Sequence, residues 1–66
     1  MKNLKIEITI PVLNEESRLE NGITKTVEFL DDSRIRNYVI IIADNGSTDN
    51  TEIIGLRLSK KYPNVE

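Results

Sequence analysis

Sixty-six residues without cysteine or histidine make at most one small domain, with neither a disulfide framework nor a Cys/His metal cluster to brace it. A chain this short buries only about 60% of the surface its unfolded form exposes, so oligomerisation or continuation into a larger domain is expected. A net charge of −2 and a pI near 5.1 exclude the basic surface of a nucleic-acid binder. The longest apolar run, Tyr38 to Ala43, is far shorter than the roughly 20 residues of a membrane span. Met1-Lys2-Asn3-Leu4-Lys5 is followed by no apolar leader segment, so the cytoplasm is the expected compartment.

Leu4 to Val12 is predicted to form a first strand. Leu4, Ile6, Ile8 and Ile10 alternate with Lys5, Glu7 and Thr9, the two-residue period of a strand with one wetter face. Pro11 closes it, because proline cannot donate to a ladder. Asn14 then reads as the N-cap of a first helix, with Glu15 and Glu16 near its positive end. Leu19, Ile23, Val27 and Leu30 recur every three or four residues and predict one apolar stripe. Gly22 interrupts that helix at about 1 kcal/mol against alanine, and close packing on the sheet would account for it. Asp31-Asp32-Ser33 ends the helix, and a polar connection runs to about Asn37.

Tyr38 to Ala43 is predicted as the second strand, and it does not alternate. A continuous Val-Ile-Ile-Ile run predicts burial on both faces, the habit of interior parallel strands. A second helix is expected from Thr48 or Asp49 to Lys61. Asp49 with Glu52 approximates a capping box. Ile54, Leu58 and Tyr62 share a face flanked by Ile53. Lys60 and Lys61 suit the negative end, and Pro63 stops the helix. A crossover helix makes the two strands parallel, with a right-handed connection in nearly all such units. The expected fold class is therefore α/β, a βαβα unit with parallel strands. Asn64-Val65-Glu66 falls where a third strand should begin, so the chain reads as one partial domain, the first part of a larger fold.

The chemistry concentrates at the strand ends. Asp44-Asn45-Gly46-Ser47-Thr48-Asp49-Asn50-Thr51 stops a buried strand at a carboxylate, turns on a glycine and starts a helix. Open α/β sheets bind their ligands at the carboxyl ends of strands. With glycine only at 22, 46 and 55 there is no G-x-G-x-x-G and no G-x-x-x-x-G-K. An EF-hand loop from Asp44 would need glycine where Asp49 stands. Asn45-Gly46 could make a hairpin turn, but Ser47 to Thr51 beyond it is no strand. Turns rich in Asp, Asn, Gly and Ser also serve simply to cap helices, and that reading competes with a ligand site. At the end of the first strand, Pro11-Val12-Leu13-Asn14-Glu15-Glu16 places two carboxylates beside the Asp44 turn, because parallel strands bring their carboxyl ends together. Capping and dipole complementarity account for Glu16; Glu15 is open to either role.

Ile8-Thr9-Ile10-Pro11-Val12-Leu13-Asn14-Glu15-Glu16, followed by Ile40-Ile41-Ile42-Ala43-Asp44-Asn45-Gly46-Ser47-Thr48-Asp49-Asn50-Thr51, resembles the amino-terminal portion of the family 2 glycosyltransferases. Within them it is most similar to the dolichyl-phosphate sugar synthase branch. Such enzymes have the Rossmann-like GT-A fold, with a strand ending in P-x-x-N-E and a second ending in D-D/N-G-S-x-D. The resemblance implies that Pro11, Leu13 and Glu15 line one wall of a nucleotide pocket. Ile42 and Asp44 would line the other, the Asp44 carboxylate accepting a hydrogen bond from the base. Asn14, Asn45, Gly46 and Ser47 would support them. Leu13 stands where many members have an aromatic residue, and Asn45 where the D-D-G-S form has a second acid.

The resemblance also implies a nucleoside diphosphate sugar as donor, a polyprenyl phosphate as acceptor and Mg or Mn as divalent cation. The D-x-D that holds the metal is not among these residues, nor is any acceptor-side base. No catalytic residue and no metal ligand is assigned, and the chain is expected to recognise a nucleotide without transferring a sugar. A rival reading is a noncatalytic module that completes its sheet as a homo-oligomer, since an open strand edge invites pairing. A response-regulator-like module fits less well, with only Glu15-Glu16 as its acidic pair.

Overall fold

The computed structural model describes residues 5–66, so Leu4, predicted to begin the first strand, lies outside the described residues. Four elements follow in the expected order: β1 (Ile6–Val12), α1 (Leu19–Asp32), β2 (Tyr38–Asp44) and α2 (Thr51–Lys61). β1 and β2 are parallel, with Ile6 opposite Tyr38 and Val12 opposite Asp44. The chain is thus a βαβα unit of the Rossmann-like kind.

Pro11 does not end β1; it sits opposite Ala43, one residue before the strand finishes. Ile6 N–H donates to the Asn37 carbonyl, and the Val12 carbonyl accepts from Asn45 N–H. Ile6 and Val12 therefore turn their backbone groups toward β2, and by alternation Pro11 turns its own toward the open edge. Its missing N–H costs no ladder bond there.

Residues 64–66 pair with β2 where the sequence places a third strand, as an isolated bridge. Ile40 N–H donates to the Asn64 carbonyl at 2.7 Å, Ile42 N–H to the Glu66 carbonyl at 2.8 Å, and Glu66 N–H to the Ile40 carbonyl at 2.8 Å. Val65 bridges Ile40 in parallel. β2 is thereby central, the position in which continuous apolar runs are usual.

All four residues of the predicted α1 stripe are buried, and they meet Val12, Tyr38, Ile40, Leu58 and Val65 in one core. Ile40 is fully buried at its centre. Val39, Ile41 and Ala43 point to the opposite sheet face. Val39 is buried, but Ile41 and Ala43 are only half-buried, and no helix among the described residues packs on them. Two-sided burial therefore holds at the start of β2 and thins toward its end.

Three local expectations are corrected. Asn14 does not cap α1: the helix starts at Leu19 after Arg18, with no side-chain cap. The Asn14 amide oxygen instead accepts the Thr48 N–H at 2.9 Å, and its backbone takes a φ of 52°, a left-handed conformation that asparagine tolerates. Gly22 is not packed against the sheet, since a Cβ there would meet nothing within 4 Å. Gly55 is the closely packed one, its absent Cβ lying 3.7 Å from Ile42. Finally, Asp49 and Glu52 form no capping box. α2 begins at Thr51 after Asn50, and the Asp49 carboxylate accepts the Thr51 N–H at 2.9 Å.

Candidate functional site

The register sets the site. Because Pro11 faces Ala43 and Val12 faces Asp44, the two strands finish level and their turns leave side by side. Asn45 N–H to the Val12 carbonyl at 2.9 Å extends the ladder one step beyond. Gly46 then reverses the second turn at φ 92°, in the region that L side chains rarely adopt.

Side chains of the second turn satisfy the backbone of the first. Asn14 N–H donates to Ser47 Oγ at 2.9 Å, Glu15 N–H to Thr51 Oγ1 at 2.8 Å, and Glu16 N–H to Asp49 Oδ2 at 3.3 Å. The Thr48 N–H returns a bond to Asn14 Oδ1. A stretch that looks like generic helix-capping chemistry is thus a cross-link between two turns more than thirty residues apart in the chain. The sequence shows hydroxyls and acids in this loop, but not that they answer three successive N–H groups elsewhere.

Asp44 stands exposed at the end of β2. Its Oδ1 accepts both Ser47 Oγ, at 2.7 Å, and Ser47 N–H, at 3.0 Å. The Ser47 hydroxyl, followed by the Ser47 backbone N–H, holds the Asp44 carboxyl below the usual carboxylate range. An ionised carboxylate offers about four acceptor sites, so the group keeps acceptor capacity for a ligand. The Thr51 hydroxyl does the same for Asp49, and Glu15 carries an ion pair with Arg18.

These depressed values make stability pH-dependent. Both carboxylates are more acidic folded than unfolded, so their contribution is complete above an unfolded aspartate's pKa of about 4. It is lost as the pH falls through the lower folded values. Thermal melting followed by circular dichroism is expected to hold steady from neutral pH to about 5 and to fall below about 4. In Asp49→Asn that fall should be shallower; an unchanged slope would show that Asp49 carries none of it.

The implied site residues reach one edge of the sheet but line two depressions. Pro11 and Glu15 border a cavity of about 360 Å³ with Ile10, Leu19 and Gly22. Ile42 and Asp44 border another of about 180 Å³ with Thr51 and Gly55. Leu13 lines neither and is 55% exposed, an apolar surface in reach of solvent at the turn. Asn14, Asn45 and Ser47 belong to the hydrogen bonds that join the turns. Thr51 is the residue that sequence reasoning missed: it is buried, and only its partner in a distant turn reveals why.

Among the described residues, no group of three or more acidic side chains is placed to hold an ion. The divalent cation that the resemblance implies therefore finds no ligand set here. No described helix is long and apolar enough to cross a membrane.

Comparison with known proteins decides the family. The model for Glycosyl transferase family 2 matches residues 7–66. The chain belongs to that family. Two dolichyl-phosphate beta-glucosyltransferases of Trichomonas vaginalis are similar to it, at 28% and 30% identity over 64 residues. Each alignment covers 91% of this chain and 20% of the relative. The dolichyl-phosphate beta-glucosyltransferase of Saccharomyces cerevisiae is 34% identical over 56 residues, covering 85% of this chain and 17% of the yeast protein. The chain spans about a fifth of the length of these curated relatives. No solved structure matches it. As a family 2 segment it contains both strand-end turns that carried the resemblance.

Proposed function

We propose that this chain is the nucleotide-recognition segment of a glycosyltransferase that takes its sugar from a nucleoside diphosphate donor. The acceptor in this reading is a polyprenyl phosphate met at the cytosolic face of a membrane, as the names of its relatives suggest for an acceptor of the dolichyl-phosphate class. The observation that carries the proposal is Asp44. It is an exposed carboxylate, held ionised by Ser47 at a strand end, level with the turn bearing Leu13 and Glu15. A carboxylate only accepts, so it selects a base edge that presents N–H donors. Leu13 supplies aliphatic surface on which a base can pack. In this reading the residues of the two turns supply nucleotide recognition, and no metal ligand set stands among the described residues. Titration calorimetry with uridine and guanosine diphosphates tests the reading: binding to the folded chain supports it, and no heat from either nucleotide refutes it.

A second reading has its own observation. Among the described residues nothing pairs with the outer edge of β1, and no helix covers the sheet face bearing Ile41 and Ala43. A 66-residue chain with that much open sheet is expected to associate. In sedimentation velocity the folded chain should run as a dimer or larger species; a stable, cooperatively melting monomer would remove this reading.

A further inference from the structure

Among the three bonds that the first turn makes to the second, one differs from its neighbours. Thr51 is 1% exposed and is the only buried polar residue among the described residues, whereas the bonds to Ser47 and Asp49 lie in exposed surroundings. The Thr51 hydroxyl has a single proton, which it donates to Asp49 Oδ1. Its lone pairs are left to accept the Glu15 N–H at 2.8 Å. Both ends of the hydroxyl are thereby used, in surroundings more buried than those of the neighbouring bonds.

What the hydroxyl joins matters more than its burial. Glu15 is the hinge of the first turn: its carbonyl accepts the Arg18 N–H at 3.0 Å and the Leu19 N–H at 2.8 Å, the bonds that open α1. Thr51 opens α2 and also borders the cavity of Ile42 and Asp44. One side chain therefore touches the backbone of one wall residue and the cavity of the other. Binding groups carried on loops lose affinity when displaced by an ångström, and a buried bond with both partners satisfied resists such displacement.

We propose that Thr51 is a positioning residue of the nucleotide site, its buried hydroxyl holding the Glu15 turn against the Asp44 turn; the inference rests on the reading of those turns as a nucleotide site. Thr51 itself touches no nucleotide. Its effect is on the geometry in which Glu15 and Asp44 are presented.

The test is uridine diphosphate affinity, measured by calorimetry on the full chain, beside melting temperature. Thr51→Ser keeps the hydroxyl and should bind within about twofold of the unsubstituted chain. Thr51→Val keeps the shape, loses the hydroxyl and should bind about tenfold more weakly or worse. Thr51→Ala repeats the measurement where Thr51→Val does not fold. Leu30→Val, buried in the core and bordering neither cavity, should melt lower yet keep its affinity once the unfolded fraction is subtracted. Equal affinity in Thr51→Val overturns the inference alone. So does a Leu30→Val that loses affinity in proportion to its melting temperature, because Thr51 would then act only through stability. No binding by the unsubstituted chain overturns the nucleotide reading itself, and the inference with it.

Discussion

Replacing Asp44 by alanine is expected to weaken binding of uridine or guanosine diphosphate by about 10- to 100-fold. A hydrogen bond to a charged group contributes about 1.5–3 kcal/mol, and each 1.4 kcal/mol is a factor of about ten in affinity. The carboxylate is exposed and already ionised, so no proton must be lost before a base N–H can donate to it. Asp44→Asn should fall between the two, because its amide retains one acceptor oxygen but adds donors that a donor edge repels. The Asp44 side chain also holds Ser47, so melting must be recorded alongside. Unchanged affinity in a folded Asp44→Ala would remove Asp44 from the site.

The largest effect on stability is expected at Ile40. Its side chain is fully buried, and its backbone binds both Asn64 and Glu66, so it centres the core and the sheet together. Truncation of such a residue to alanine costs about 2–5 kcal/mol. Typical stability is about 0.05–0.15 kcal/mol per residue, or about 3–10 kcal/mol for 66 residues. Ile40→Ala should therefore lose a large fraction of the total and unfold at much lower urea. Phe29→Ala removes a larger side chain but one that is 67% exposed, and should move stability by less than about 0.5 kcal/mol. Urea unfolding of the two variants checks the pair. Equal losses would mean that the core is not where the structure places it.

What the sequence discloses and what it conceals divide along one line. The α1 stripe is legible because burial repeats with the helix: Leu19, Ile23, Val27 and Leu30 are all buried. The central place of β2 is legible because an unbroken apolar run is the habit of interior parallel strands, and both β1 and residues 64–66 pair with it. Asn14, Asp49 and Thr51 are different. Each has a local capping role that its residue type suits, and each is used for a partner more than thirty positions away. Local propensity ranks residue types at a helix start; it carries no information on which distant N–H groups go unanswered. Gly22 is a third case, a helical glycine with open space around it, and packing gives no account of it.

The same distinction applies to the site. That Pro11, Glu15 and Asp44 reach one edge of the sheet is legible through the strand–turn–helix pattern. Their distribution over two depressions is not, because it depends on where the helices start. That α1 starts at Leu19 and α2 at Thr51, later than the sequence implies, leaves two longer turns free to bind one another. The cross-link sets the distance between the walls.

The central claim, that the Asp44 edge reads the N–H face of a base, is tested most directly by titrating the chain with uridine diphosphate and its N3-methylated analogue. Methylation removes the one ring donor and leaves the ribose and diphosphate untouched. The account predicts binding of uridine diphosphate and a loss of about tenfold or more on methylation, the worth of one charge-assisted hydrogen bond. Equal affinity for the two nucleotides would contradict it.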